Sequence, residues 1–197
     1  MLILDVLGRV QNQKVQLAIS QNIEAGDLLI VHGIVVHQTD SATAQSTLNG
    51  YRAPKSNGAH FLIDKDGTIY QTASLYKKTR HVGFIKSRCI AEKSCLPADL
   101  KKLKGKRPGL EIGRVEMRKP FPSRYPMNED SIGIENVSLF KNGAFEPLTR
   151  AQQTSLTWLM GELTQTLNIN RAEIFRHSEV SWKQESEGAS AELLDGR

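Results

Sequence analysis

No apolar run in this chain approaches the ~20 residues that a membrane-crossing helix requires, so no membrane span is expected. The N-terminus, MLILDVLGRVQNQK, begins apolar but lacks a basic stretch followed by a long hydrophobic one, and so does not read as a secretory signal. The expectation is a protein secreted or delivered to the periplasm without a cleaved signal peptide, with a cytoplasmic location as the alternative. Cysteine is scarce: Cys89 and Cys95 are the only two in 197 residues. One pair cannot set a disulfide framework, and the two further soft ligands that a zinc ribbon needs are not nearby. Either the pair closes a local surface loop, which would fit an oxidising compartment, or it remains as two thiols. Aromatic residues make up 6% and do not interleave with the lysine clusters, as a single-strand-binding surface would require, so nucleic acid is not the expected partner. Internal repeats and low-complexity tracts are absent, which excludes a solenoid.

What is present fits a soluble domain. A length of 197 residues, 39% apolar and 24% charged, suits one core carrying an insertion. The net charge of +5 comes from 26 basic and 21 acidic residues and is unevenly placed. KKTR, KSR, KKLKGKR and RKP all fall between residues 77 and 119. They form either a solvated basic loop or a surface attracted to an anionic polymer, such as a carboxylate-rich cell wall. Residues 84–130 hold five of the seven prolines and both cysteines, and are expected to be a long irregular insertion with at most one short helix near 97–104. The chain divides into a polar lead-in over 1–28 and one domain over 29–197 that contains this insertion.

Residues 29–37, LIVHGIVVH, predict a buried strand. A helix is expected over 41–51, capped by Asp40 or Ser41. AHFLI and TIYQT, either side of the turn DKDG, predict a hairpin. SIGIENVSL, 131–139, predicts another strand. The clearest helix is 149–168, with Thr149 as cap and Leu156, Leu159, Met160, Leu163 and Leu167 on one stripe. A short IFRH element leads into the C-terminal loop. The fold class is therefore α/β: a mixed central β-sheet flanked by helices, with the irregular insertion.

Several polar residues sit where a structural role alone explains them poorly. His37 follows Ile-Val-Val and precedes Gln-Thr-Asp; His177 follows Ile-Phe-Arg and opens a polar loop. Both stand where a rigid apolar element meets such a loop, the placement that suits a side chain held still in a cleft. A hydrogen-bonded structural histidine is the alternative for each. Glu135 lies mid-strand, where a carboxylate loses hydration unless it has a partner or a task; a solvent-facing strand position is its alternative. Lys183, Glu185 and Glu187 follow His177 by six, eight and ten residues, and by spacing alone form a charged tail in water.

The ordered blocks IVVHQT, GAHFLIDKDGTIYQ, RHVG, SIGIE and RHSEVSWK…SEGASA resemble the zinc-dependent N-acetylmuramoyl-L-alanine amidases, the family of phage-lysozyme-type amidases and peptidoglycan recognition proteins. The resemblance covers residues 34–191 apart from the insertion. It implies a mixed sheet flanked by helices, one Zn2+ in a surface groove, and hydrolysis of the amide between N-acetylmuramic acid and L-alanine. His37 and His177 fall on the first two zinc ligands. The family's third ligand is an Asp or Cys in the following loop, and this chain has neither. Glu187 stands at the usual spacing and SEGASA resembles the family's TEASTA form, so Glu187 is the expected third ligand, with Glu185 left open. The resemblance also places Glu135 as the carboxylate that moves the proton and Lys183 as a donor to the developing oxyanion. His81 and Arg80, which replaces a frequent Trp, fall in the substrate groove, and His60 in a structural position. For His37, Asp40 or a backbone carbonyl is the expected partner of the outward ring nitrogen. The implied partners are peptidoglycan and muropeptides. An antibacterial type VI secretion effector with an immunity protein capping the groove, a phage lysin and a wall-recycling enzyme are all compatible settings. A non-catalytic peptidoglycan-binding module of the same fold is the alternative function.

Overall fold

The computed structural model describes residues 1–194 and Gly196. In chain order the strands and helices are β1 (Val15–Leu17), β2 (Glu24–Asp27), β3 (Gly33–Gln38), α1 (Ala44–Gly50), β4 (Phe61–Ile63), β5 (Ile69–Gln71), β6 (Lys77–Thr79), α2 (Arg88–Ala91), α3 (Pro97–Leu103), α4 (Leu110–Glu116), β7 (Ser131–Asn136), β8 (Phe140–Lys141), β9 (Ala144–Phe145), α5 (Arg150–Leu167), β10 (Ile174–Arg176) and α6 (His177–Val180). Six strands form the central sheet in the order β1-β5-β4-β7-β3-β10. Only the β4–β5 hairpin is antiparallel; the other neighbours run parallel. The expected mixed sheet flanked by helices is what the chain forms. No helix among the described residues is long and apolar enough to cross a membrane.

Alternation along β3 and β7 divides the interior. Ile34 and Val36 of β3, with Ile132 and Ile134 of β7, face the main core. There they meet Leu156, Leu159, Met160 and Leu163, the stripe that α5 presents at spacings of three and four. Each of these four is fully buried, contributing about 1.5–3 kcal/mol relative to exposure. Thr149 caps α5 in a reciprocal capping box with Gln152. The odd positions of the same strands point to the opposite face. Val35 packs there with Val82, Ile85, Tyr125, Phe175 and Val180. That parity sends His37 and Glu135, direct partners in the β3–β7 register, to the same face.

The structure departs from expectation in four places. Residues 1–28 supply the edge strand β1, parallel to β5, and bury Leu2, Val10 and Val15 in the main core. β3 begins at Gly33 because Leu29 and Ile30 lie exposed ahead of it. Helix α1 is capped by Thr43, whose side chain accepts from Ser46 N, while Asp40 turns away and accepts from Phe140 N. The insertion folds as three short helices, fastened by a bidentate Arg88–Glu173 pair, a buried Arg124–Asp130 pair and the Cys89–Cys95 disulfide.

His60 is fully buried beneath the β7 strand. Its Nε2–H donates to Lys77 O at 2.8 Å and its Nδ1 accepts from Gly133 N at 3.0 Å. Both ring nitrogens are satisfied only in the neutral form, and burial lowers the ring's pKa to about 4. The unfolded chain takes up a proton below about 6.5 that the folded ring refuses. Stability contributed by His60 is therefore present above about pH 6.5 and declines as the pH falls towards 4. Urea titrations between pH 7 and pH 4 should show this loss, and His60→Gln should flatten it.

Candidate metal centre

The sheet ends in a cleft of about 480 Å³ on the face that carries His37 and Glu135, lined also by His177, Glu187, His81, Arg80, Lys183, Asn128 and Phe145. His37 is the fifth residue of β3, fixed at its carbonyl by Asn136 Nδ2. His177 begins α6, one residue beyond β10, which pairs with β3. Parallel pairing of β3 and β10 thus sets two rings from opposite ends of the chain side by side. Glu187 arrives on the C-terminal loop, which is clasped to β3 by Gly188 N donating to Gln38 Oε1 at 2.7 Å. His37 Nδ1 lies 2.8 Å from His177 Nδ1, and Glu187 Oε1 lies 2.7 Å from His177 Nδ1 and 3.5 Å from His37 Nδ1. All three residues are buried. Glu185 is exposed and stays outside this group.

The outward hydrogen bonds fix which atoms face the centre. His177 Nε2 meets the Val82 carbonyl at 2.9 Å and must donate to it, so Nδ1 is the nitrogen that faces His37 and Glu187. For His37 the assignment runs through three groups. Ser131 Oγ donates to Met127 O at 2.6 Å, and so accepts from His81 Nε2 at 3.3 Å. His81 Nδ1 is then an acceptor, 3.0 Å from His37 Nε2, which donates. His37 Nδ1 therefore presents a lone pair. Burial, reinforced by His177, lowers the His37 pKa to about 4, keeping the ring neutral. Burial would raise the Glu187 carboxyl, but its contacts with His177 and His37 prevail and take it to about 2. Two imidazole nitrogens and a carboxylate oxygen thus converge within 4.8 Å of one another. Two imidazoles with one carboxylate are a donor set that suits a catalytic zinc site. The His37–His177–Glu187 group could hold a metal ion.

The partner of His37 Nε2 is His81, not Asp40 or a backbone carbonyl. Gly133 makes this contact fit: a Cβ there would come within 2.7 Å of His81 Nδ1. Asn128 Oδ1 accepts from both His81 N and Val82 N, holding the same segment from outside. Glu135 is half-buried at the cleft floor. Burial raises its pKa above the usual carboxylate value, while a hydrogen bond from Tyr51 Oη to Glu135 Oε2 works in the opposite sense. Tyr51, at the C-cap of α1, did not stand out in the sequence, where it lies 84 residues from Glu135. Ser131, Asn128 and Gln38 were missed for the same reason: each acts through a partner distant in the chain. Lys183 and Arg80 line the cleft as exposed cations.

No curated protein sequence matches this chain significantly. Solved structures do share its fold. An AmpD derivative is 17% identical with TM-score 0.55, over 90% of this chain and 87% of the other. The endolysin amidase LysCS from Clostridium intestinale URNW is 20% identical with TM-score 0.51, over 88% and 86%. PlyL is 12% identical with TM-score 0.54, over 86% and 84%. The sequence profile of the N-acetylmuramoyl-L-alanine amidases matches residues 27–189, from the strand before β3 to the loop that carries Glu187. With most of its length matched and its two histidines and acidic residue gathered at one cleft, the chain belongs to the N-acetylmuramoyl-L-alanine amidase family.

Proposed function

We propose that this protein is a zinc-dependent peptidoglycan amidase that cleaves the bond between the lactyl carbonyl of N-acetylmuramic acid and the nitrogen of L-alanine. The observation that carries the reading is the convergence of His37, His177 and Glu187 beside a carboxylate, Glu135, in one cleft. Residues 29–197 carry the amidase site, with 84–130 an insertion, and residues 1–28 complete the same sheet and core. His37, His177 and Glu187 would hold Zn2+. Bound there, zinc supplies Lewis acidity: a water acidified to a pKa near 7 and a polarised carbonyl. Glu135 takes the proton of the attacking water as the C–O bond forms, and returns it to the alanine nitrogen as the C–N bond breaks. Tyr51 holds the Glu135 carboxylate in place. The Lys183 ammonium, on the cleft wall, balances negative charge developing on the carbonyl oxygen. Arg80 meets the acidic groups of the stem peptide. His81, expected in the substrate groove, lines the cleft and serves it by orienting His37, a reading its contacts with His37 and Ser131 support. A complete ligand set with its proton carrier favours catalysis over binding alone.

The Cys89–Cys95 bond supports an oxidising destination, and with it an antibacterial effector delivered to a periplasm, or a lysin. An effector role would bring an immunity protein that caps this cleft.

Incubation with purified muropeptides tests the activity: release of free L-alanyl peptides is expected, abolished by chelator and restored by added Zn2+. Undiminished activity in chelator would remove the zinc mechanism. The outward bonds make a separate prediction. Ser131→Ala deprives His81 of its acceptor, so zinc affinity, measured by competition with a chromophoric chelator, should fall about 10–100-fold.

A further inference from the structure

Both imidazoles of the centre are oriented by one short stretch of chain. His81 Nδ1 accepts from His37 Nε2 at 3.0 Å, and the next residue's carbonyl, Val82 O, accepts from His177 Nε2 at 2.9 Å. A shift of this stretch therefore moves the outward partner of each ring together. Residues 80–84 belong to no strand or helix, so no ladder of backbone bonds fixes them. Their placement depends on what their own donors find.

Those donors converge on one atom. His81 N donates to Asn128 Oδ1 at 3.0 Å and Val82 N donates to the same oxygen at 2.8 Å. Because both partners are donors, the amide has one possible orientation, oxygen towards the segment. Asn128 is itself held firmly. It lies in a turn over 127–130, closed by Asp130 N donating to Met127 O at 3.1 Å and by Met127 N donating to Asp130 Oδ1 at 2.8 Å. Arg124 pairs with Asp130 in the interior, and Asp130 O accepts from His32 N at 2.7 Å, tying the turn to the residue before β3. Met127 O also accepts from Ser131 Oγ, the hydroxyl that meets His81 Nε2. The turn thus grips the segment twice: Ser131 holds a ring, and Asn128 holds the backbone.

We infer that Asn128 is a positioning residue for the metal centre: through one oxygen it seats the outward partners of both ligand histidines, and so sets zinc affinity without touching the ion. The inference rests on the zinc amidase reading. Ser131 reaches His37 alone, by way of His81. Asn128 reaches both rings, because Val82 carries the N–H that Asn128 holds and the carbonyl that His177 meets. Removing the oxygen leaves two backbone N–H groups without their acceptor, one of them on the fully buried Val82, and the segment must move to satisfy them.

The test measures zinc affinity of the full chain by competition with a chromophoric chelator, and reads ligand geometry from the visible spectrum of the Co2+-loaded chain. Asn128→Leu keeps the bulk and lacks the acceptor; it should weaken zinc about 10–100-fold and alter the Co2+ spectrum. Asn128→Asp offers a carboxylate to the same two donors and should keep affinity and spectrum close to those of the unaltered chain. Removing the disulfide with Cys89→Ser and Cys95→Ser controls for stability of the insertion: the thermal midpoint should fall while zinc affinity holds. Unchanged affinity in Asn128→Leu, an equal loss in Asn128→Asp, or an equal loss in the disulfide variant would overturn the inference and leave the zinc reading standing. A full chain that binds no zinc would remove both. Zinc affinity that follows Asn128 in a chain that hydrolyses no muropeptide would keep the inference and remove the amidase.

Discussion

Glu135→Gln should lower kcat on muropeptides by about 10²–10⁴-fold, with KM and zinc content little changed. The substitution keeps the shape of the side chain and removes only its ability to accept a proton. It leaves the proposed metal ligands intact, so retained zinc would separate a lost proton carrier from a collapsed site. The pH profile offers a second readout. In the proposed mechanism the working form is the carboxylate, and burial raises its pKa, so the acidic limb of kcat/KM should lie above the ordinary glutamate range. The Tyr51 hydroxyl favours the charged form by donating to Glu135 Oε2. Tyr51→Phe should therefore move that limb to still higher pH, with a smaller loss of rate at neutral pH. A limb unmoved by Tyr51→Phe, or a Glu135→Gln enzyme of normal rate, would place the proton transfer elsewhere.

Glu187→Ala is expected to produce the other large effect, read in metal rather than rate. Structural zinc sites with four ligands bind with about 10–16 kcal/mol, so one ligand's share is roughly 2.5–4 kcal/mol, or about 10²–10³-fold in affinity. Hydrolysis at limiting zinc should fall with it. Glu185→Ala, a change to an exposed side chain two residues earlier, should leave both zinc content and rate within about two-fold, as distant surface changes do. Loss of zinc from the Glu185 variant alone would exchange the two residues' roles. His37→Ala and His177→Ala should resemble Glu187→Ala, because each removes one of three converging donors.

Much of the frame was legible because it is local. The period-two pattern of SIGIEN and the period-3.6 stripe of α5 each declare a buried face, and both elements form where expected. DKDG turns the β4–β5 hairpin for the same reason. Harder to read were elements whose partners lie far away. The strand β1, with the sequence VQL, has no strong pattern and exists because β5 offers it an edge. KKT of β6 pairs with β2 under similar terms. The β8–β9 hairpin had a local signal, Asn142-Gly143 with positive φ at both residues, within a stretch too short to show alternation. At the site, the family blocks pointed to His37, His177 and Glu187, and the fold gathers them. The blocks could not show that His81 leans on His37, because that contact depends on Gly133 leaving room and Ser131 supplying an acceptor. Nor could they show Tyr51 against Glu135, a meeting of α1 and β7.

The clasp between Gln38 and Gly188 gives the C-terminal loop a second role. It delivers a carboxylate oxygen to two imidazole nitrogens at the end of the sheet. Were zinc held there as proposed, seating the Glu187 loop and capturing the ion would be one thermodynamic event. On the proposed mechanism, a zinc ion bound there would fasten this loop to the sheet in the same step that supplies the Lewis acid.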